Sequence, residues 1–511
     1  MTLDKNSPQP MWEQLFVGLR DAIVAGRLPH GHSLPSTRRL AELLNVSRDT
    51  VLRTYEQLVC LGYVHSKVGT GTVVTWKSSP DGDKNSPRND LDFAVQDLLE
   101  QSLSEYAQRL MRASFVPNNL ERLNHGAAPS DLLPLSQWRR ALQHRESGLN
   151  GAEAAAVSEP FGYRPLREAI AGYFQRCKGI DCHPDQVLVA ADPSQLQNML
   201  ARMLINAGDG VVIENPSCSR LRALLSSCGA QLHPIRVDRD GLITGQLAGV
   251  SGSYKCAYVT PAHHAPYGSV MSLDRRRQLL AWSKQNDVLV IEDAVDSDFR
   301  YGSQPLPPLY KLDDDAMVIC LYSFWKTLFP LTGISCLVLP PRLIGAFEIT
   351  ACLSRHSMPI NEAMGLTELL QGGHLERHIR KAWSEYTKRR QALIFALAQN
   401  FRSSVTCFKE SAGSHVLVRF RTEATEEQLL VYAAEAKLPM ISTQDWYVDT
   451  AEPKEFLISF ALLSAKQIGA AVGEFADKLN SLDLQGTATT LSTSEVMLHP
   501  STAPIEHSLT G

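Results

Sequence analysis

Paired cysteines are missing from this sequence. Its ten cysteines stand singly, and without a C-x-x-C pair there is no zinc ribbon or thioredoxin-like motif to read. A secreted disulfide scaffold is excluded by the length as well, 511 residues. No apolar run approaches the ~20 residues of a membrane span. The first ten residues lack the basic-then-apolar order of a signal peptide. A reduced, cytoplasmic setting with no membrane partner is therefore expected. An excess of positive charge is missing too. The net charge is −4 and the pI about 6.4, so any nucleic-acid contact has to come from a local patch.

What is present is a chain long enough for several domains, with 44% hydrophobic and 20% charged residues, a soluble globular balance. Four parts separate by pattern. Residues 1–76 hold a compact, patterned segment from residue 11 onward. Residues 77–114 open with KSSPDGDKNSPRND, which is linker chemistry, and continue with spaced Leu, Phe and Met that fit one amphipathic helix over 91–112. From 115 to 483 short apolar runs alternate with helical patterns, which predicts βαβ units and a mainly parallel sheet. Residues 484–511 are rich in Ser and Thr and are expected to be a disordered tail.

The first part predicts three helices and a hairpin. Leu15, Leu19 and Ile23 share one face of a helix over 11–25, stopped by Gly26. Ser36 is a natural cap for a second helix with Leu40, Leu43 and Leu44 inside. Ser47 caps a third, ending at Gly62, with Val51, Tyr55, Leu58 and Val59 as its buried stripe. Val64 to Val74 reads as a hairpin over Gly69-Thr70-Gly71. That order is a winged helix-turn-helix, whose recognition helix puts its N-terminal residues into the major groove. Here those are Ser47, Arg48, Asp49 and Thr50. Arg48 can reach a guanine edge or a phosphate, and Thr50 a phosphate. Asp49 is unfavourable beside phosphate but can accept from cytosine. Arg38 is placed near the backbone, and Arg39, Arg53 and Lys67 add positive charge.

The segment LPSTRRLAELLNVSRDTVLRTYEQLVCLGYVHSKVGTGTVV resembles the DNA-binding domain of GntR-type bacterial regulators. The resemblance implies double-stranded DNA as a partner. It also implies contacts by Arg38, Ser47, Arg48 and Thr50, with Gly69 and Gly71 in the wing.

The long third part carries a second set of signals. Leu289-Val-Ile-Glu-Asp293 is a buried strand ending in acids, the end at which an α/β sheet places its ligand site. Lys326 lies in the apolar stretch Ile319 to Pro330. A lysine in such surroundings suits bond formation with an aldehyde, and an aspartate such as Asp293 suits a pyridine nitrogen. Phe161-Gly-Tyr-Arg-Pro-Leu-Arg167, Ala207-Gly-Asp209, Glu214-Asn-Pro216, Thr260-Pro-Ala-His263 and Pro266-Tyr-Gly268 follow in one order. Together they resemble the aminotransferase-like domain of fold-type I pyridoxal phosphate proteins, with its mainly parallel sheet and smaller C-terminal α/β subdomain. A GntR-type head on that domain defines the MocR-type regulators. The resemblance implies a homodimer, a small-molecule effector and pyridoxal 5'-phosphate held by Asp293, Ser323, Lys326 and His264.

The chain departs from the family pattern around that cofactor. The glycine-led phosphate turn S-G-A-Q-Q reads Ala191-Asp192-Pro193-Ser194-Gln195, which places an acid where phosphate is expected and removes a backbone donor. The arginine of K-T-L-x-P-x-x-R is Gly333. The stacking aromatic of E-D-P-x-Y is Cys218, the tyrosine of E-D-D-Y is Val295, the carboxylate-binding arginine of L-R-L-G-F is Leu457, and Trp325 replaces a small residue. Three readings follow. One is a regulator sensing pyridoxal phosphate, or an amino compound linked to it, through Lys326. Another is the same regulator with a site that holds a different small molecule or serves only for dimerisation. The third, a working aminotransferase, has the lost arginine and tyrosine against it.

Overall fold

The computed structural model describes residues 10–24, 27–44, 46–60, 62–67, 71–75, 102–112, 131–146, 159–249, 253–300, 306–354, 358–408, 413–449 and 451–490. The chain divides into two compact units, Met1–Ser102 and Leu103–Gly511.

The smaller unit contains α1 (Met11–Val24), α2 (Thr37–Leu44) and α3 (Arg48–Cys60). Its strands are β1 (Ser33–Leu34), β2 (Val64–Lys67) and β3 (Gly71–Val74), ordered β1-β3-β2 and antiparallel. The hairpin β2–β3 is the expected wing. The third strand was not expected, since two residues are too few to show a period. Leu15, Ile23, Leu40, Val51, Tyr55, Leu58 and Val74 form the core. Leu43 and Val59, expected inside, are 60% and 39% exposed. On α2 the buried face runs through Leu40 and Ala41, and Leu43 falls beyond its edge at 100° per residue. Val59 lies similarly off the line of Val51, Tyr55 and Leu58.

The larger unit is built on an eight-stranded sheet. Its strands are β4 (Val187–Ala190), β5 (Gly210–Asn215), β6 (Gln231–Asp238), β7 (Gly241–Leu242), β8 (Tyr254–Val259), β9 (Leu289–Asp293), β10 (Val318–Ser323) and β11 (Ser335–Val338). The order is β4-β11-β10-β9-β8-β5-β6-β7. The run from β10 to β6 is parallel. β11 is antiparallel to both its neighbours, and the short β7 is antiparallel to β6. Every residue of β4, β5, β10 and β11 is buried, the mark of a sheet covered on both faces, which is why these strands read as unbroken apolar runs.

A second sheet, β12 (Val405–Cys407), β13 (His415–Phe420), β14 (Met440–Ser442) and β15 (Glu455–Ser459), is antiparallel in the order β12-β13-β15-β14. It shares one core with helices His374–Phe401, Glu426–Glu435 and Ala465–Thr490 through Leu393, Val416, Leu429, Phe456 and Phe475.

The helix expected in 91–112 is described as Glu105–Arg112, on the larger unit, with the Arg202 guanidinium 5.2 Å from the Tyr106 ring. The Pro/Ser/Asp-rich 77–90 lies outside the described residues. Where a disordered tail was expected from 484, the last helix continues to Thr490. Ile468, Val472 and Phe475 anchor it in the core, and it propagates past the end of its own periodicity. The expectation for 491–511 falls outside the described residues. No helix among the described residues is long and apolar enough to cross a membrane.

Candidate functional site

The start of α3 is fixed by its own side chains. The Thr50 amide donates to Ser47 Oγ at 3.1 Å, and the Ser47 and Thr50 hydroxyls are 2.8 Å apart. Ser47 thus caps the helix, and this pair holds the turn that carries Arg48. Arg48 is exposed and makes no ion pair with another described residue. Arg38 is 85% exposed on its side chain and lies 3.7 Å from Glu42. Arg53 is drawn aside: its guanidinium stacks 4.3 Å from the Trp12 ring and ties α3 to α1. Gly71 opens β3 at φ +89, a left-handed conformation that glycine adopts without strain. Gly69 lies outside the described residues.

In the larger unit the C-terminal ends of the parallel strands converge. Asp293 ends β9, Ser323 ends β10 next to it, and Lys326 follows within the one-turn helix Trp325–Leu328. Asp293 accepts from the Tyr258 hydroxyl at 2.5 Å and from the Val295 amide at 2.9 Å. The Tyr258 oxygen in turn accepts from Gln197 Nε2 at 3.0 Å. Burial pushes the Asp293 carboxyl above the usual range and Asp296 adds to this. The two hydrogen bonds and Lys326 pull it back.

Lys326 Nζ lies 3.4 Å from Asp296 Oδ2, and His263 Nδ1 lies 3.1 Å from the same oxygen. Burial alone would raise the Asp296 carboxyl, but Lys326 and His263 outweigh it, so the net direction is downward. Lys326 Nζ is also 5.6 Å from the Trp325 ring centre. Tyr258 and Asp296 were not singled out in the sequence, and His263 was named only as the end of the motif Thr260-Pro-Ala-His263. The cue for Asp296 was its place three residues after Asp293, on the same loop.

His264 is buried, with Nε2 2.9 Å from the Pro216 carbonyl and 3.9 Å from Glu214. A carbonyl only accepts, so Nε2 carries the hydrogen. Burial pushes this imidazole down to about 3, against the pull of the Pro216 bond. Glu214 accepts from the Thr260 amide at 3.0 Å and from its hydroxyl at 2.5 Å. Burial pushes Glu214 up to about 7 in spite of those bonds.

The expected phosphate turn begins helix Pro193–Leu204. Asp192 caps it, its Oδ1 accepting from the Ser194 amide at 2.7 Å. Arg220 reaches over from helix Ser219–Ser227 to the Ser194 hydroxyl and to Gln197 Oε1 at 3.5 Å. A Cβ on Gly333 would lie 2.7 Å from the Ala191 carbonyl oxygen. Ser323 accepts from the Ser335 hydroxyl at 2.7 Å and from the Trp325 amide at 3.1 Å. Cys218 is exposed just ahead of helix Ser219–Ser227. Val295 packs against the core that backs the sheet. Leu457 is buried within β15 between Leu417 and Ile441.

Comparison with known proteins gives two family matches. Residues 119–475 match the model described as aminotransferase class I and II, and residues 12–74 the model described as bacterial regulatory proteins, gntR family. Among curated relatives, the probable rhizopine catabolism regulatory protein MocR of Rhizobium meliloti is 30% identical, over 86% of this chain and 87% of its own length. The uncharacterized HTH-type transcriptional regulator YhdI of Bacillus subtilis is 28% identical over 91% and 95%. The pyridoxine biosynthesis transcriptional regulator PdxR of Corynebacterium glutamicum is 30% identical over 66% and 68%. Among solved structures, the α-aminoadipate aminotransferase LysN of Thermus thermophilus, complexed with N-(5'-phosphopyridoxyl)-L-leucine, superposes with a TM-score of 0.67. It is 21% identical and covers 76% of this chain and 99% of that one.

Proposed function

This chain belongs to the MocR-type transcriptional regulators, a gntR-family head joined to an aminotransferase class I and II domain, and from that premise we propose where it binds DNA and what it senses. Arg48, presented by the Ser47–Thr50 cap, reads a base edge or a phosphate. Ser47, Thr50 and Arg38 reach the backbone, and the wing of Gly69 and Gly71 lies alongside. Arg53 acts through Trp12, by holding α3 in place. The regulator works in the cytoplasm as a homodimer, and its effector changes DNA affinity through unequal affinity for two arrangements of the protein.

The effector site is the corner formed by Lys326 and Asp293, and the effector is a carbonyl compound of the pyridoxal class or an amine linked to one. One observation carries this reading: Lys326 and Asp293 come from adjacent strand ends, and Lys326 Nζ lies 3.4 Å from Asp296 on the loop that follows Asp293. Asp293 suits a pyridine nitrogen and Lys326 an aldehyde. Ser323 and His264 complete the site. Ser323 Oγ accepts from Ser335 and Trp325, which leaves its own hydrogen to donate. His264 bonds Pro216 through Nε2, while its buried Nδ1 has no partner among the described residues.

The residues at the far end do not fit a 5'-phosphate. The helix cap is an acid, Asp192, and no side chain is accommodated at Gly333. This favours a second reading, in which the regulator takes no pyridoxal phosphate at all. An absorbance spectrum of the purified protein, alone and with pyridoxal or pyridoxal phosphate, separates the two. The Lys326 reading expects a long-wavelength band with at least one of these aldehydes, lost in Lys326→Ala. A protein that stays colourless with both refutes it.

A further inference from the structure

We propose that Asp192 is a specificity-determining residue that turns away the phosphate ester and leaves the Lys326 corner to an unphosphorylated pyridoxal-type aldehyde. The inference rests on the reading of Lys326 as the aldehyde site. A helix N-terminus next to a strand end is an anion site because its first amides are unpaired and its dipole favours negative charge. At helix Pro193–Leu204 those donors are withdrawn one by one. Pro193 has no N–H. The Ser194 amide donates to Asp192 Oδ1 at 2.7 Å. The Gln195 amide is directed to the Asp192 carbonyl at 3.2 Å. The protein thus supplies its own anion at the position a phosphate would take.

Two further observations bear on the same corner. The strand β11 that follows the lysine helix begins just after Gly333, where an added Cβ would meet the Ala191 carbonyl oxygen at 2.7 Å. An arginine cannot reach the turn from there without moving backbone. Among the described residues the cation that does approach is Arg220, and it is engaged with the Ser194 hydroxyl and Gln197. A phosphate monoester carries ≈ −1.5 to −2 charge at pH 7. It would meet a like charge on Asp192 while the first amides of the helix are already engaged. Asp293 and Lys326 stand on β9 and the lysine helix and not on this turn, so losing the phosphate leaves both in place.

The test compares affinities for pyridoxal and pyridoxal phosphate, read from the Lys326-dependent absorption band, in the full-length protein and in Asp192→Asn. Asparagine is as good a cap as aspartate, so the substitution removes charge and keeps the helix start. Asp192→Ser, a shorter capping side chain, serves if the amide still crowds the turn. The wild type is expected to bind pyridoxal at least as tightly as its phosphate. The neutral variants are expected to shift the ratio toward the phosphate by about tenfold or more, which is about 1.4 kcal/mol. A wild type that prefers the phosphate tenfold overturns the inference and assigns Arg220 as its cation. An unchanged ratio in both variants overturns it as well. If neither aldehyde binds, the Lys326 reading itself falls and takes this one with it.

Discussion

Replacing Glu214 by glutamine should remove a pH-dependent weakness from the larger unit. Glu214 lies at the end of β5, 4% exposed, with one carboxyl oxygen held by the Thr260 amide and hydroxyl. Burial raises this group from 4.5 to about 7. The folded protein therefore keeps a proton that the unfolded chain has lost, and stability falls as pH rises between those two values. At 1.36 kcal/mol per unit, the full difference is about 3 kcal/mol, present above about pH 7 and absent below about pH 4.5. His264 works in the opposite sense. Burial lowers it from 6.5 to about 3, so it costs stability as pH falls through that window. The two partly cancel in the wild type and would hide each other. The difference between wild type and Glu214→Gln isolates the carboxyl, because His264 is common to both. Glutamine keeps the acceptor for Thr260 and cannot ionise. Urea unfolding followed by tryptophan fluorescence at about pH 5 and about pH 8 gives the two differences. The variant should gain up to about 3 kcal/mol on the wild type between them. Parallel pH dependences of the two proteins would refute the reasoning.

Two more outcomes can be measured directly. Arg48→Ala should weaken binding to a DNA fragment from the protein's own promoter region by about 1–3 kcal/mol; unchanged affinity and salt dependence would place the recognition residues elsewhere. Arg276→Ala should cost about 3–5 kcal/mol of stability by chemical denaturation. Its guanidinium, 1% exposed, donates to the Met271, Pro307 and Pro261 carbonyls and lies 3.9 Å from the buried Glu292. A loss below about 1 kcal/mol would show that Glu292 takes up a proton once its partner is gone.

The head was legible because its signals are local. A cap, an apolar face and a terminal glycine lie within a few residues of each other, and Ser36, Ser47 and Gly62 stand where those signals put them. The strand β1 was not, since its two residues are recruited by β3 across about forty positions. In the larger unit the buried strands could be read from apolar runs, and the pair Asp293 and Lys326 from its place in the order of family motifs. The partners of that pair could not. Tyr258 reaches Asp293 from 35 residues away, and Thr260 reaches Glu214 from 46. Such contacts are set by strand order, which periodicity does not encode. For Ser323 the sequence did not show that the adjacent antiparallel strand brings the Ser335 hydroxyl onto its oxygen.

The way the two sheets of the larger unit are joined bears on how freely this protein can vary. Arg222, on helix Ser219–Ser227, donates to the backbone carbonyls of Asp445, Trp446 and Tyr447, and to that of Ser217 on its own side. The Ser217 amide donates to the Trp446 carbonyl at 2.7 Å. Every one of these acceptors belongs to the main chain. The joint follows the path of the 445–447 loop through its carbonyls, so Trp446 can vary while those bonds persist. The Tyr447 hydroxyl, in contrast, is bonded to Tyr267 and Glu455, and the Asp445 charge bears on Arg222. Arg222 has no such freedom: a lysine there offers a point charge in place of a planar fork and could not span the same carbonyls.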